Sequence, residues 1–366
     1  MKRLTTENIE RLVPYPPGKP IEELEREWGI TGSIKLASNE NPLGPSPMAV
    51  KAIMENIDKL NRYPDGSSYY LKRKLSDVFG LPSERILTGN GSNELIELTI
   101  RTFLSDGEEV IQPFPTFLVY EKIVNGAGGK LISVPLKNFS ISLDDIMKAV
   151  TPRTKIIFVN NPNNPTGSGI SRKDMLSFIM EVPEDIIIVV DEAYIEFASN
   201  KVANSLELLN ERERLVVLRT FSKLYGLAGL RVGYGFSSKD IVDYINRIRQ
   251  PFNLNLLAQA AALSALDDRD FVSETLKLVS EGLKYLYHNL DEIGLEYIPT
   301  ETNFFLIKVP SGGKNIYNLM LKEGVIIRSM DSYGLKDYIR VNAGLPEENE
   351  RFIDSLKKVL DNIKTD

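Results

Sequence analysis

The apolar residues of this chain fall into short runs that start and stop abruptly. Lys155–Asn160 (KIIFVN), Ile186–Asp191 (IIIVVD) and Leu215–Thr220 (LVVLRT) are continuous and rich in β-branched residues, and Val232–Phe236 reads as a further strand. Runs of this kind, unlike alternating ones, mark strands buried on both faces. Ile86–Thr88 and Val110–Gln112 read as shorter strands, the second ending at Pro113. Between them lie segments with helical spacing: Met48–Leu60, Tyr69–Phe79, Ser92–Leu104, Ser171–Met180, Asp240–Arg249, and a stretch from Leu256 to about Leu290. Strand–helix alternation implies parallel βαβ units. The two ends differ. Pro14, Pro16, Pro17 and Pro20 make the N-terminal stretch an extended arm with one short helix near Ile21–Trp28. After the long helix, Glu296–Ile298, Asn303–Lys308, Val325–Arg328 and Tyr338–Val341 read as short strands, and Pro346–Lys364 as a last helix. A smaller α+β unit therefore follows the α/β body, with the boundary near residues 270–290.

Composition removes several classes of function. The net charge of −6 over 366 residues, without a run of five like charges, argues against nucleic acid as a partner, because phosphate backbones reward clustered Lys and Arg. The apolar run Ile186–Val190 stops at Asp191, far short of the roughly 20 residues a membrane span needs. The charged N-terminus (MKRLTTENIERLV) does not read as a signal peptide, so a cytoplasmic location is expected. The chain has no cysteine, which excludes disulfides, zinc–thiolate sites, iron–sulfur clusters and thiol nucleophiles. A single histidine, His288, excludes a histidine metal centre, and no metal is expected. His288 lies among Leu283, Tyr285, Leu286 and Leu290 and reads as an ordinary helix residue. An acid–base group is then expected among Lys, Asp, Glu and Tyr, or on a cofactor.

Ligands of a parallel sheet gather at the carboxyl ends of its strands. The conspicuous polar residues follow strands: Gly89-Asn-Gly91-Ser92-Asn93-Glu94, Asn161-Pro-Asn-Asn164-Pro-Thr-Gly167, Asp191 with Tyr194, and Ser222-Lys223. The first segment opens a helix, where glycines and free N–H groups favour an anion; it lacks the residues of a nucleotide P-loop and the spacing of a dinucleotide site. Alone it is equally a tight turn, as is the Asn-Pro segment. Asp191 closes an apolar strand and needs a cationic partner, or serves as a structural ion pair. Lys223, if lifted out of water, becomes a nucleophile or base; otherwise it is a surface lysine. Arg231 follows a Gly-rich spacer. Together the parts fit one ligand: an aldehyde cofactor bearing a phosphate and a pyridine ring. It needs a Lys, a carboxylate for the ring nitrogen, an N–H-rich cradle and an aromatic such as Phe117.

These motifs resemble the fold-type I pyridoxal-phosphate aminotransferases, and within them the histidinol-phosphate branch. The resemblance runs over Leu12-Val-Pro-Tyr15, Ala37-Ser-Asn-Glu-Asn-Pro-Leu-Gly-Pro45, Arg62-Tyr63-Pro-Asp65, GNGSNE, NNPTG, DEAY, FSKLYGLAGLRVGY and Ile339-Arg340-Val-Asn-Ala-Gly344. It implies an α/β fold-type I transferase, with residues 1–40 as an arm and part of the small domain. Residues 41–275 would form a large cofactor-binding domain with a mostly parallel sheet flanked by helices, and 276–366 a small α+β domain. It implies that Lys223 forms the Schiff base with pyridoxal 5′-phosphate and then moves a proton. Asp191 would pair with the ring nitrogen. Tyr194 and Asn164 would bond the phenolic oxygen, and Phe117 would stack on the ring. Gly91, Ser92, Asn93, Ser222 and Arg231 would bind the phosphate, with Tyr63 reaching in from the second subunit of a homodimer. Arg340 would grip the substrate carboxylate as a bidentate fork, with Asn164 beside it. The implied substrates, in histidine synthesis, are histidinol phosphate or imidazole-acetol phosphate and glutamate or 2-oxoglutarate. Serving a phosphate and a carboxylate calls for a second cation, for which Arg328 is a candidate, and Tyr15 would close over the phosphate. Two positions depart from the family: Asn93 stands where Asp is usual and Phe117 where Tyr is frequent. Amino transfer to aromatic or other amino acids, and decarboxylation of a phosphorylated amino acid, are the alternatives. A transcription regulator's sensing module would need a DNA-binding segment for which the arm is too short.

Overall fold

The computed structural model describes residues 3–14 and 18–365. Its strands, in chain order, are β1 (Ile34–Lys35), β2 (Ile86–Gly89), β3 (Glu109–Phe114), β4 (Lys130–Pro135), β5 (Thr154–Asn160), β6 (Ile187–Asp191), β7 (Leu215–Thr220), β8 (Gly233–Phe236), β9 (Tyr297–Ile298), β10 (Phe304–Lys308), β11 (Val325–Ile326), β12 (Arg328–Ser329) and β13 (Tyr338–Asn342). Seven of them form one sheet in the order β2-β8-β7-β6-β5-β3-β4. β3 to β7 pair in parallel, and β8 alone runs against its two neighbours.

The continuous apolar runs have the reason that the sequence implied. Along β6, Ile188 and Val190 join the core on one face of the sheet, while Ile187 and Val189 join the core on the other. β5 does the same, with Ile157 and Val159 on one face and Ile156 and Phe158 on the other. A strand whose successive side chains alternate faces must be apolar throughout when helices cover both. Helices Leu256–Ala265 and Arg172–Glu181 supply one cover, Ser92–Phe103 and Lys239–Ile248 the other.

The C-terminal part is built on an antiparallel sheet, β12-β13-β10-β9. Phe305, Ile307, Ile339 and Val341 pack there with Val279, Leu286 and Leu290 of helix Arg269–Ile293 and with Phe352 and Leu356 of helix Pro346–Thr365. The N-terminal segment joins this part through β1, which pairs in parallel with β11. Among the described residues, no helix is long and apolar enough to cross a membrane.

Several boundaries differ from the sequence expectation. The stretch from Leu256 to Leu290 is two helices, because Asp268 caps the second by accepting from Phe271 N and also accepts from Ser46 Oγ at 2.6 Å. Met48–Leu60 is a helix over Pro47–Met54 followed by a short 3-10 turn. Val325–Arg328 is not one strand: β11 and β12 belong to different sheets. β3 continues through Pro113, whose missing N–H is tolerated where pairing to β5 has already stopped at Ile111.

Candidate active site

The carboxyl ends of β2, β3, β5, β6 and β7, with Ser38 and Glu40, converge on a cleft of about 720 Å³, partly open to solvent. Ser92, Asn93, Phe117, Asn164, Asp191, Tyr194, Ser222, Lys223 and Arg231 all line it, so nine of the expected residues share one space.

Asp191 ends β6 and is 3% exposed. Tyr120 Oη donates to its Oδ2 at 2.7 Å, and Ala193 N to its Oδ1 at 3.2 Å. It forms no ion pair with any described residue. Burial pushes its carboxyl up to about 6, against the lowering effect of the Tyr120 hydroxyl. A buried carboxylate that two neutral donors hold, with no cation, is complementary to a cationic partner from outside the chain.

Lys223 follows β7, and its side chain is half-buried. Nζ donates to the carbonyl of Ser38 at 3.0 Å and lies 5.7 Å from the centre of the Tyr194 ring. Burial lowers its pKa to about 8, with Arg340 adding to the effect and Glu40 opposing it. A large share of this amine is therefore neutral near pH 8. Tyr194 Oη accepts from Asn39 Nδ2 at 3.0 Å, which leaves the phenol proton for an acceptor in the cleft.

The Gly89–Gly91 loop leads into the helix Ser92–Phe103, whose first N–H groups have no helical partner. Gly91 holds a φ of +81°, and a Cβ there would stand 2.8 Å from Arg231 Nη2. Behind the loop, a Cβ on Gly233 of β8 would lie 2.6 Å from Gly91 C and closer still to Ser92 N. Glycine at both positions lets β8, the loop and Arg231 come together, an arrangement of N–H groups and a cation that would suit an anion. Ser222 stands beside it, its Oγ accepting from Thr220 Oγ1 at 2.9 Å.

Arg340 lies on β13, 6% exposed. Its Nη1 donates to Asn164 Oδ1 at 2.6 Å and its Nη2 to Ala37 O at 2.8 Å, while Nε is buried without a partner. Two of the other expected residues, Arg328 and Tyr63, do not line the cleft. Arg328 is the register partner of Arg340 but lines a neighbouring cleft with Lys19, Lys314 and Tyr317. Tyr63 is 82% exposed and stacks on Phe252 with ring centres 4.7 Å apart. Tyr15 lies outside the described residues. Two residues went unread in the sequence. Tyr120 lies in a stretch to which the sequence reading gave no element, and Asn39 showed only an asparagine inside a motif, the residue type that tolerates its φ of +55°.

The arrangement fits pyridoxal phosphate on three observations: a buried carboxylate without a cation, a lysine held only by a backbone carbonyl, and a cradle that a Cβ would fill. The comparisons agree. The chain is 48% identical to the histidinol-phosphate aminotransferase of Desulfotalea psychrophila, over 97% of this chain and 94% of that protein. It is 46% identical to histidinol-phosphate aminotransferase 2 of Carboxydothermus hydrogenoformans, over 96% and 98%. The crystal structure of the Sinorhizobium meliloti histidinol-phosphate aminotransferase in complex with pyridoxal-5′-phosphate superposes with a TM-score of 0.92 at 27% identity, covering 98% of both chains. Residues 31–356 match the aminotransferase class I and II model, and the chain belongs to that family.

Proposed function

We propose that this chain is a pyridoxal-phosphate aminotransferase that exchanges the amino group of histidinol phosphate for the keto oxygen of 2-oxoglutarate, in histidine synthesis. The pairing of Asp191 and Lys223 in one cleft carries the reading, since both side chains are buried or half-buried with their charges unanswered by the chain. When bound, pyridoxal phosphate supplies the aldehyde that takes up the amino group and the ring that accepts electrons from the substrate. Asp191 would face the ring nitrogen, Phe117 one ring face, and Tyr194 with Asn164 the phenolic oxygen. Gly91, Ser92, Asn93, Ser222 and Arg231 would hold the phosphate. Lys223 would bind the aldehyde carbon and, once released, take and return the proton at the substrate's α-carbon. A lysine with a pKa near 8 suits that proton transfer at neutral to mildly alkaline pH. The unpartnered Nε of Arg340 supports its binding the anionic end of the substrate.

The substrate reading is supported by the names and high coverage of the relatives. The exposed apolar residues Met54, Ile57, Leu60 and Tyr63, with Phe252, support a homodimer in which this face is covered. A phosphorylated substrate that does not cross membranes supports a cytoplasmic location. The division at residues 40 and 275 is part of the same proposal, supported by the separate core around β10 and β13. The test is glutamate formation from histidinol phosphate and 2-oxoglutarate by the loaded protein. Release of carbon dioxide, or conversion of aromatic amino acids but not of histidinol phosphate, would overturn the substrate assignment.

A further inference from the structure

We propose that Tyr120 is a positioning residue whose hydroxyl fixes the Asp191 carboxylate in orientation and in charge, so that it can face a protonated ring nitrogen. The inference rests on the reading of Asp191 given above. Tyr120 sits on helix Val119–Gly126, fully buried. Its ring stacks flat on Phe158 of β5, centres 4.4 Å apart and planes 5° apart. It meets Phe117 edge-on at 5.6 Å and 86°. These contacts leave the ring little freedom, so Oη is aimed at Asp191 Oδ2, 2.7 Å away, by packing rather than by the bond itself. The same side chain thus braces the aromatic expected on the ring's face and the carboxylate expected at its nitrogen.

The donor is also of the right chemical kind. Burial and the Asp191 charge hold the Tyr120 hydroxyl well above the usual phenol range, so it stays protonated and neutral. It favours the ionised carboxylate without cancelling its charge, as a lysine or arginine in its place would. The other groups facing this pair are Glu192 and Tyr194 from the loop after β6, Tyr333 near the Tyr120 hydroxyl, and Lys223 across the cleft. Glu192 raises the carboxyl, as burial does. Tyr120 and the Ala193 N–H are the two groups that oppose them.

Tyr120→Phe removes only the hydroxyl and keeps both ring contacts. The experiment is an infrared pH titration of the cofactor-free protein, with the Asp191 carboxyl band identified by its loss in Asp191→Asn. A charge-assisted hydrogen bond of ordinary strength corresponds to about a tenfold change in proton affinity. The band in Tyr120→Phe is therefore expected to titrate about one pH unit higher than in the parent, and pyridoxal phosphate to bind several-fold more weakly at neutral pH. A purely structural tyrosine would lower the melting temperature and leave the carboxyl titration where it was; that result, or an unchanged band midpoint in a fully folded variant, overturns the proposal. If Asp191→Asn binds pyridoxal phosphate as tightly as the parent, the cofactor reading fails instead.

Discussion

Adding one methyl group to Gly233 tests the anion cradle without replacing any polar residue in it. The Cβ of Gly233→Ala would lie 2.6 Å from Gly91 C, where ordinary contacts begin at 3.4 Å. Gly233 is held on β8 between β2 and β7, so the Gly89–Gly91 loop and Ser92 must retreat, by about 1 Å. Overpacking of this kind costs about 1–3 kcal/mol. The empty loop can relax outward and relieve most of it, but a bound phosphate must pull the loop back. The strain then appears as lost affinity, roughly 5–150-fold in the dissociation constant of pyridoxal phosphate. Gly229→Ala is the control, since no atom lies within 4 Å of a Cβ there. Titration of the cofactor-free proteins with pyridoxal phosphate, beside thermal melts, reads both. Affinity within about twofold of the parent in a folded Gly233→Ala protein would refute the placement of the phosphate, on the scale of that cost.

The remaining predictions concern charge and assembly. Lys223 should react with aldehydes as its neutral form appears, so borohydride-trapped modification of cofactor-free protein should rise with pH through about 8 and then level off. Arg340→Gln removes a cation that holds the pKa down, so the midpoint should move to higher pH; a profile still climbing through the ordinary lysine range in the parent, or unmoved by Arg340→Gln, would contradict the account. Tyr63→Ala should leave the fold intact and weaken cofactor retention only in the associated form, because Tyr63 does not line its own chain's cleft. Sedimentation velocity should find a dimer at micromolar concentration, and a monomer with full activity would overturn the role of Tyr63.

The fold was legible where both sheet faces are covered. The central residues of β5, β6 and β7 (Ile156–Val159, Ile187–Val190 and Leu215–Leu218) are apolar on both sides and all buried. β4 was missed for the opposite reason: it is the edge strand, its Lys130, Ser133 and Pro135 are exposed, and Val134 alone among its residues is buried. The cleft was legible because its residues sit in glycine- and proline-marked loops at strand ends. Arg328 was read as the end of one strand from Val325, because β11 and β12 are only two residues each and no turn residue separates them. Tyr120 and Asn39 act through contacts 71 and 155 residues away, to Asp191 and Tyr194, and no local pattern encodes such distances.

The most direct measurement is a half-reaction. The protein is loaded with pyridoxal phosphate, its absorbance recorded, and histidinol phosphate added without any keto acid. The account predicts that the band of the lysine-bound cofactor falls, that the band of the aminated cofactor grows, and that 2-oxoglutarate reverses the change. Lys223→Ala should show neither the starting band nor the conversion. A loaded parent protein whose spectrum does not respond to histidinol phosphate, yet responds to glutamate or to an aromatic amino acid, would contradict the proposed substrate. Absence of the lysine-bound band in the parent would contradict the assignment of Lys223 and the mechanism built on it.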